Sequence, residues 1–165
     1  MRIFLDTEWA DEDGRELVSL ALVSEDTQHV FYAERQPLPG WPTDWVSCVV
    51  YPRLCRGSCA LDDSPFTQQL RAFLRGMPSP VVCFDADNDL ALLELALADF
   101  GRPARAADKP VCFGIKKLAG RSYEEAVETV FRKFPDARKG RHNALVDAFA
   151  MQQAFTWHST SSIPV

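Results

Sequence analysis

Three apolar segments crowd the start of this chain: RIFLD (2–6), ELVSLALV (16–23) and HVFYAE (29–34). Each has the length of a strand, and polar turn-forming stretches separate them, DEDG at 11–14 and EDTQ at 25–28. Links this short suit antiparallel neighbours, because a parallel crossover takes about a dozen residues or more. The chain therefore commits early to a three-stranded meander, and whatever follows must pack on it.

From residue 64 the pattern changes to helices alternating with strands. Ser64-Pro65 places a cap before a first-turn proline and predicts a helix to about residue 75. PVVCF (80–84) reads as a short apolar strand. NDLALLELALADF (88–100) is apolar on most faces, so a buried helix is expected, ended by Gly101. A further strand is expected at 110–114. Ser122 with Glu125 has the spacing of a capping box and predicts a helix to about 134. NALVDAFAMQQAFTW (143–157) predicts the last helix, and 158–165 a frayed tail. The stretch 36–63 is irregular, with Pro37, Pro39, Pro42, Pro52, Trp41 and Trp45. A loop this long either has a function or wraps the core, and a short helix fits at 43–51. The sum is one α/β domain over 1–165, a mixed sheet with helices on its faces.

A hydrophobic content of 47% suffices for a sizeable core. No apolar run approaches the roughly 18 residues of a membrane helix. Only Arg2 and a short apolar patch precede Asp6, unlike a signal peptide, so the cytoplasm is the expected location. Five cysteines cannot all pair, and their spacing lacks the CxxC pairs of a zinc site, so reduced thiols are expected. The net charge of −5 argues against holding nucleic acid by bulk electrostatics. Between 116 and 141, however, Lys116, Lys117, Arg121, Arg132, Lys133, Arg138, Lys139 and Arg141 outnumber Glu124, Glu125, Glu128 and Asp136.

Three stretches carry groups capable of chemistry. In FLDTEWA (4–10), Asp6 and Glu8 share one face of a strand, roughly 6.5–7 Å apart. Either the strand ends at Leu5 and both are solvated, or a cation offsets their charge. Mg²⁺ commonly takes one or two carboxylates together with substrate phosphates. In FDADNDLALL (84–93), Asp85, Asp87 and Asp89 leave a strand and enter a helix, where acids also serve as caps, with Asp87 or Asn88 the cap candidates. In RHNALVDAF (141–149), Asn143 as a helix cap leaves His142 in the preceding loop, poised over a site that Asp147 supports. An imidazole with an ordinary pKa of about 6.5 suits a general base near neutral pH.

Taken in order, DxE in LDTEW (5–9), an acid at the start of a mid-chain helix and HxxxxD in HNALVDA (142–148), the chain resembles the histidine-containing branch of the DEDD 3′–5′ exonuclease superfamily. The resemblance spans residues 4 to 155 and is most like the small stand-alone bacterial exoribonucleases. In the middle motif, N-x-x-x-D-x-x-x-L fits Asp85, Asp89 and Leu93, with Asp85 where asparagine is common; Asp85 and Asp87 stay open as alternatives to Asp89.

The resemblance implies a ribonuclease H-like fold, a five-stranded mixed sheet flanked by helices. It implies two divalent cations, Mg²⁺ or Mn²⁺, with Asp6 shared between them, Glu8 and Asp147 on one and Asp89 on the other, and His142 activating the attacking water. Trp9 is then expected to stack on the terminal base, with Thr7, Arg138, Lys139 and Arg141 as further substrate contacts. The implied partner is single-stranded nucleic acid or a 3′ overhang, RNA favoured, with no membrane association; the oligomeric state stays open, a homodimer being one option. The competing readings are a DNA-directed 3′–5′ exonuclease, a catalytically weak nucleic-acid-binding module on the same fold, and a ribonuclease H-type endonuclease.

Overall fold

The computed structural model describes residues 1–103 and 109–161. The expected meander is present: β1 (Arg2–Trp9), β2 (Leu17–Ser24) and β3 (Val30–Arg35) pair antiparallel. A two-residue strand, β4 (Ala60–Leu61), adds to the outer edge of β3. On the other side of β1, β5 (Val81–Phe84) and β6 (Gly114–Lys117) run parallel to it. The order β4-β3-β2-β1-β5-β6 gives a six-stranded mixed sheet, one short edge strand more than expected and compatible with a ribonuclease H-like α/β fold. β1 is central, and its side chains alternate between two buried faces.

Two helices cover one face. α1 (Asp63–Gly76) and α2 (Asp87–Leu97) bring Phe66, Leu70, Leu74, Leu92 and Leu93 against Ile3, Leu5, Leu20 and Leu22. Fully burying an aliphatic side chain of this size contributes about 1.5–3 kcal/mol. α1 begins at Asp63, ahead of Ser64, so Pro65 still falls within the first turn. α2 is only half-buried, with Ala91 and Glu94 in solvent, and stops at Leu97 before a turn in which Asp99 and Phe100 have positive φ.

α3 (Arg121–Lys133) and α5 (Ala144–Ser161) cover the other face. Tyr123, Val130, Phe131, Ala150, Met151 and Ala154 pack there with Phe4 and Cys83. Gly120, at φ 116°, occupies the cap position of α3, so Ser122 lies inside the first turn rather than before it. α4 (Pro135–Gly140) is a short helix that no periodicity announced. α5 runs on to Ser161, into the stretch expected to fray; residues 162–165 lie outside the described residues.

β6 falls at Gly114–Lys117 instead of 110–114. Val111 and Phe113 are apolar because they pack as loop residues against the α1/α2 side of the core. The strand itself is an exposed edge and carries Lys116 and Lys117. The irregular stretch 36–63 wraps the end of the sheet, with a wide helical turn at Val46–Val50 and a tight one at Tyr51–Arg53. Among the described residues no helix is long and apolar enough to cross a membrane.

Candidate metal centre

Asp6 and Glu8 stand opposite Ala21 and Ser19 of β2. These small partners leave room above the sheet, and α5 fills it. Ala144 and Ala148, both fully buried, lie against Ala21 and Val23, so the helix comes close and sets Asp147 over the two acids of β1. Asn143 caps α5 as expected, its Oδ1 accepting from the Leu145 N–H at 3.1 Å. Its Nδ2 donates to the Tyr32 hydroxyl at 3.1 Å and to the Arg53 carbonyl at 2.9 Å. The cap thus ties the loop before α5 to β3 and to the wrapping segment. Tyr32 in turn donates to the fully buried Glu34, which also accepts from the Cys55 and Arg56 N–H groups.

His142 lies in that loop at φ 68°, a left-handed conformation unusual for a residue with a Cβ. The Asp147 Oδ2 accepts from its N–H at 2.9 Å, folding the loop back over the helix end. Trp45 from the wrapping segment meets the imidazole edge-on, with ring centroids 4.9 Å apart.

Asp89 reaches the site from the other face of the sheet. It is 1% exposed and held by three donors: the Thr7 hydroxyl at 2.7 Å, the Thr7 N–H at 3.2 Å and the Ala86 N–H at 3.2 Å. The last of these caps α2, so Ala86 takes the cap position expected of Asp87 or Asn88. The three acids of the middle stretch therefore separate. Asp87 turns outward to Lys117 at 2.6 Å, whereas Asp85 and Asp89 both face Asp6.

A cleft of about 320 Å³ runs over these groups. Two sets within it have the spacing of metal ligands. One donor atom each from Glu8, His142 and Asp147 lie within 4.8 Å of one another, and so do oxygens of Asp6, Asp85 and Asp89. Glu8 and Asp147 fall in one set, together with His142, and Asp89 in the other. Asp6 stands with Asp85 and Asp89, so Asp85 joins the second set beside Asp89 rather than replacing it.

The electrostatics are those of acids without a counterion. Burial pushes Asp6 well above the ordinary carboxylate range, reinforced by the charges of Asp89, Asp147 and Glu8. Burial, with Asp147 and Asp89, raises Glu8 to about 8. Asp89 is raised to about 7 and Asp147 to about 6, each mainly by burial, and Asp85 is raised for the same reason. Among the described residues no Lys or Arg forms an ion pair with Asp6, Glu8, Asp89 or Asp147. The Oδ1 of Asp147 is buried with no hydrogen-bond partner. A cluster of buried carboxylates with an orphaned oxygen, the His142 imidazole beside one set, suits a divalent cation, whose charge would draw these groups back to their ionised forms.

The remaining expected contacts distribute unevenly. Trp9 lines the cleft while its ring also packs against the core. Thr7 lines it too, although its hydroxyl is taken up by Asp89. Arg138 and Lys139 are exposed on α4, Lys139 beside Asp136 at 3.2 Å. Arg141 is held by Glu128 at 2.7 Å and lies over the Phe131 ring. None of these three cations is among the residues lining the cleft. Trp45 and Thr43 do line it, and sequence reasoning had placed neither there. The only hint was the density of tryptophan and proline in the wrapping segment. Arg53 is a further cation near enough to act electrostatically on both Glu8 and His142. Compared with protein-family models and with curated proteins, the chain matches none.

Proposed function

We propose that this protein is a divalent-metal-dependent 3′–5′ exonuclease of the histidine-containing DEDD type, acting on single-stranded nucleic acid or a 3′ overhang, with RNA preferred. One observation carries the reading. Asp6, Glu8, Asp89, Asp147 and His142 come from the first strand, a mid-chain helix and the last helix with its loop, and meet in one cleft. Asp6, Asp85 and Asp89 would hold one Mg²⁺ or Mn²⁺, and Glu8 and Asp147 the other. Held there, such ions would supply charge stabilisation for the entering and leaving oxygens of an in-line displacement at phosphorus.

The chain's own groups supply the rest. His142 is pulled below its usual pKa by burial, with Arg141 and Arg53 adding to the effect. Its imidazole is therefore neutral near pH 7 and free to accept a proton from the attacking water. Asp147 holds the histidine's backbone, and Trp45 braces its ring. Thr7 fixes Asp89. Trp9 and Trp45 offer ring surface to a terminal base, where stacking is worth about 1–3 kcal/mol and tolerates any sequence. The cytoplasm is the compartment that fits, since all five cysteines are free thiols.

The test is a time course with Mg²⁺ or Mn²⁺ on 5′-labelled single-stranded RNA, single-stranded DNA and a duplex with a 3′ overhang. A ladder shortening from the 3′ end is expected, fastest on RNA, and absent in Asp6→Ala. Full activity in Asp6→Ala sinks the assignment. Retention of the strands without any shortening points instead to a binding module.

A further inference from the structure

The Tyr123 hydroxyl is buried and has no hydrogen-bond partner. The residue is 6% exposed, so water does not satisfy the group from outside. Leaving such a donor unpaired is costly, and natural structures seldom carry one without a use.

Its position points to that use. The ring packs at the start of α3 in one cluster with Phe4, Cys83 and Leu118. Phe4 and Cys83 are paired neighbours on β1 and β5. Two residues further along β1, on the same side of the sheet, comes Asp6; Asp85 follows the end of β5 and has an oxygen within 4.8 Å of one on Asp6. The phenol therefore lies on the side of the sheet from which Asp6 projects, with Asp85 close to that carboxylate. Burial, with the charges of Asp85, Cys83 and Asp6, holds the phenol well above its usual pKa, so it keeps its proton and remains a donor. Yet it bonds neither carboxylate. Together with Asp89, those two acids form the second set of oxygens at metal-ligand spacing.

We propose that the Tyr123 hydroxyl is the hydrogen-bond donor to the oxygen shell of a divalent cation held by Asp6, Asp85 and Asp89. This rests on the metal-centre reading above. It makes Tyr123 a positioning residue, acting through the cation's surroundings rather than on the substrate. Outer donors of this kind fix the orientation of the inner oxygens, and their loss commonly costs about 10–100-fold in metal affinity.

Tyr123→Phe keeps the ring and removes only the hydroxyl. Mn²⁺ would be titrated calorimetrically into the metal-free wild type and variant, with their melting curves taken alongside. The expected result is a metal-free variant that melts at or above the wild-type temperature, because an unpaired buried hydroxyl is gone, while one Mn²⁺ affinity falls about 10–100-fold. Unchanged Mn²⁺ binding in Tyr123→Phe overturns this inference and leaves the metal centre standing. No Mn²⁺ uptake by the wild type overturns both. A measurement free of any folding defect is available in the wild type. With tyrosine labelled at the phenol carbon, the Tyr123 resonance, told apart from Tyr32 and Tyr51 by Tyr32→Phe and Tyr51→Phe, should shift as Mg²⁺ is added. A resonance that stays fixed while Mg²⁺ binds also overturns the inference.

Discussion

His142 combines a strained backbone with a committed neighbourhood. Its φ of 68° is tolerated because the Asp147 carboxylate holds its N–H and the Asn143 cap anchors the next residue. If the imidazole is the general base, His142→Ala slows hydrolysis about 10²–10⁴-fold and leaves Mn²⁺ affinity, carried by the acids, largely intact. His142→Gly, which relieves the backbone, should be no faster; a rate restored by glycine would mean that the loop's shape, not the ring, is what matters. Asn143→Ala removes a cap and two further bonds from a 5% exposed side chain. A loss on the order of 2–4 kcal/mol in urea unfolding is expected, together with slower hydrolysis as His142 loses its anchor. At this scale the sequence was most informative about the groups that lie on regular elements. Asp6 and Glu8 alternate on a strand, and Asp147 follows a recognisable cap. Asp85 was ambiguous because its direction depends on how the chain turns from β5 into α2, and no pattern of residue types encodes that turn. Trp45 was hidden because a loop, not a periodic element, carries it to His142.

The last helix reaches the first strand through small side chains. Ala21 on β2 and Ala144 and Ala148 on α5 are fully buried against one another. A larger group at this seam has nowhere to go, because cores are close-packed. Ala148→Leu should cost about 1–3 kcal/mol by overpacking and, by lifting α5, move Asp147 away from Glu8. Urea unfolding measures the first effect and Mn²⁺ titration the second. A variant destabilised to this extent that still binds Mn²⁺ like the wild type would show that the seam does not set the site. The meander, α2 and α5 were legible as apolar runs bounded by polar turns or caps, and α1 and α3 through the residues that start them. β6 was misplaced because it is an exposed edge strand without an apolar face, next to a loop whose Val111 and Phe113 are partly buried against the core. β4 and α4 escaped notice because a two-residue strand and a six-residue helix are shorter than any period can reveal.

The arrangement of the whole chain determines how the protein responds to pH. Three distant segments deliver their acids to one cleft, and burial there raises Asp6, Glu8, Asp89 and Asp147 above the value of about 4 that such groups have in an unfolded chain. Between that value and about 8, the level to which Glu8 is raised, the folded chain holds protons that the unfolded chain has released. Stability falls with pH wherever the folded state binds more protons. The metal-free protein should therefore lose stability as pH rises from about 5 to 8, in contrast to proteins whose acids are paired with basic side chains. A divalent cation competes with those protons. It should raise the melting temperature little at pH 5 and strongly at pH 8, and its binding at pH 7 should release protons. Thermal melts with and without Mg²⁺ across this range test the first part, and calorimetry in buffers of different ionisation enthalpy tests the second. Glu8→Gln, which cannot ionise, should flatten the metal-free pH profile and weaken the Mg²⁺ effect together. An equal Mg²⁺ shift at pH 5 and pH 8 would mean that the cation binds somewhere other than these buried acids.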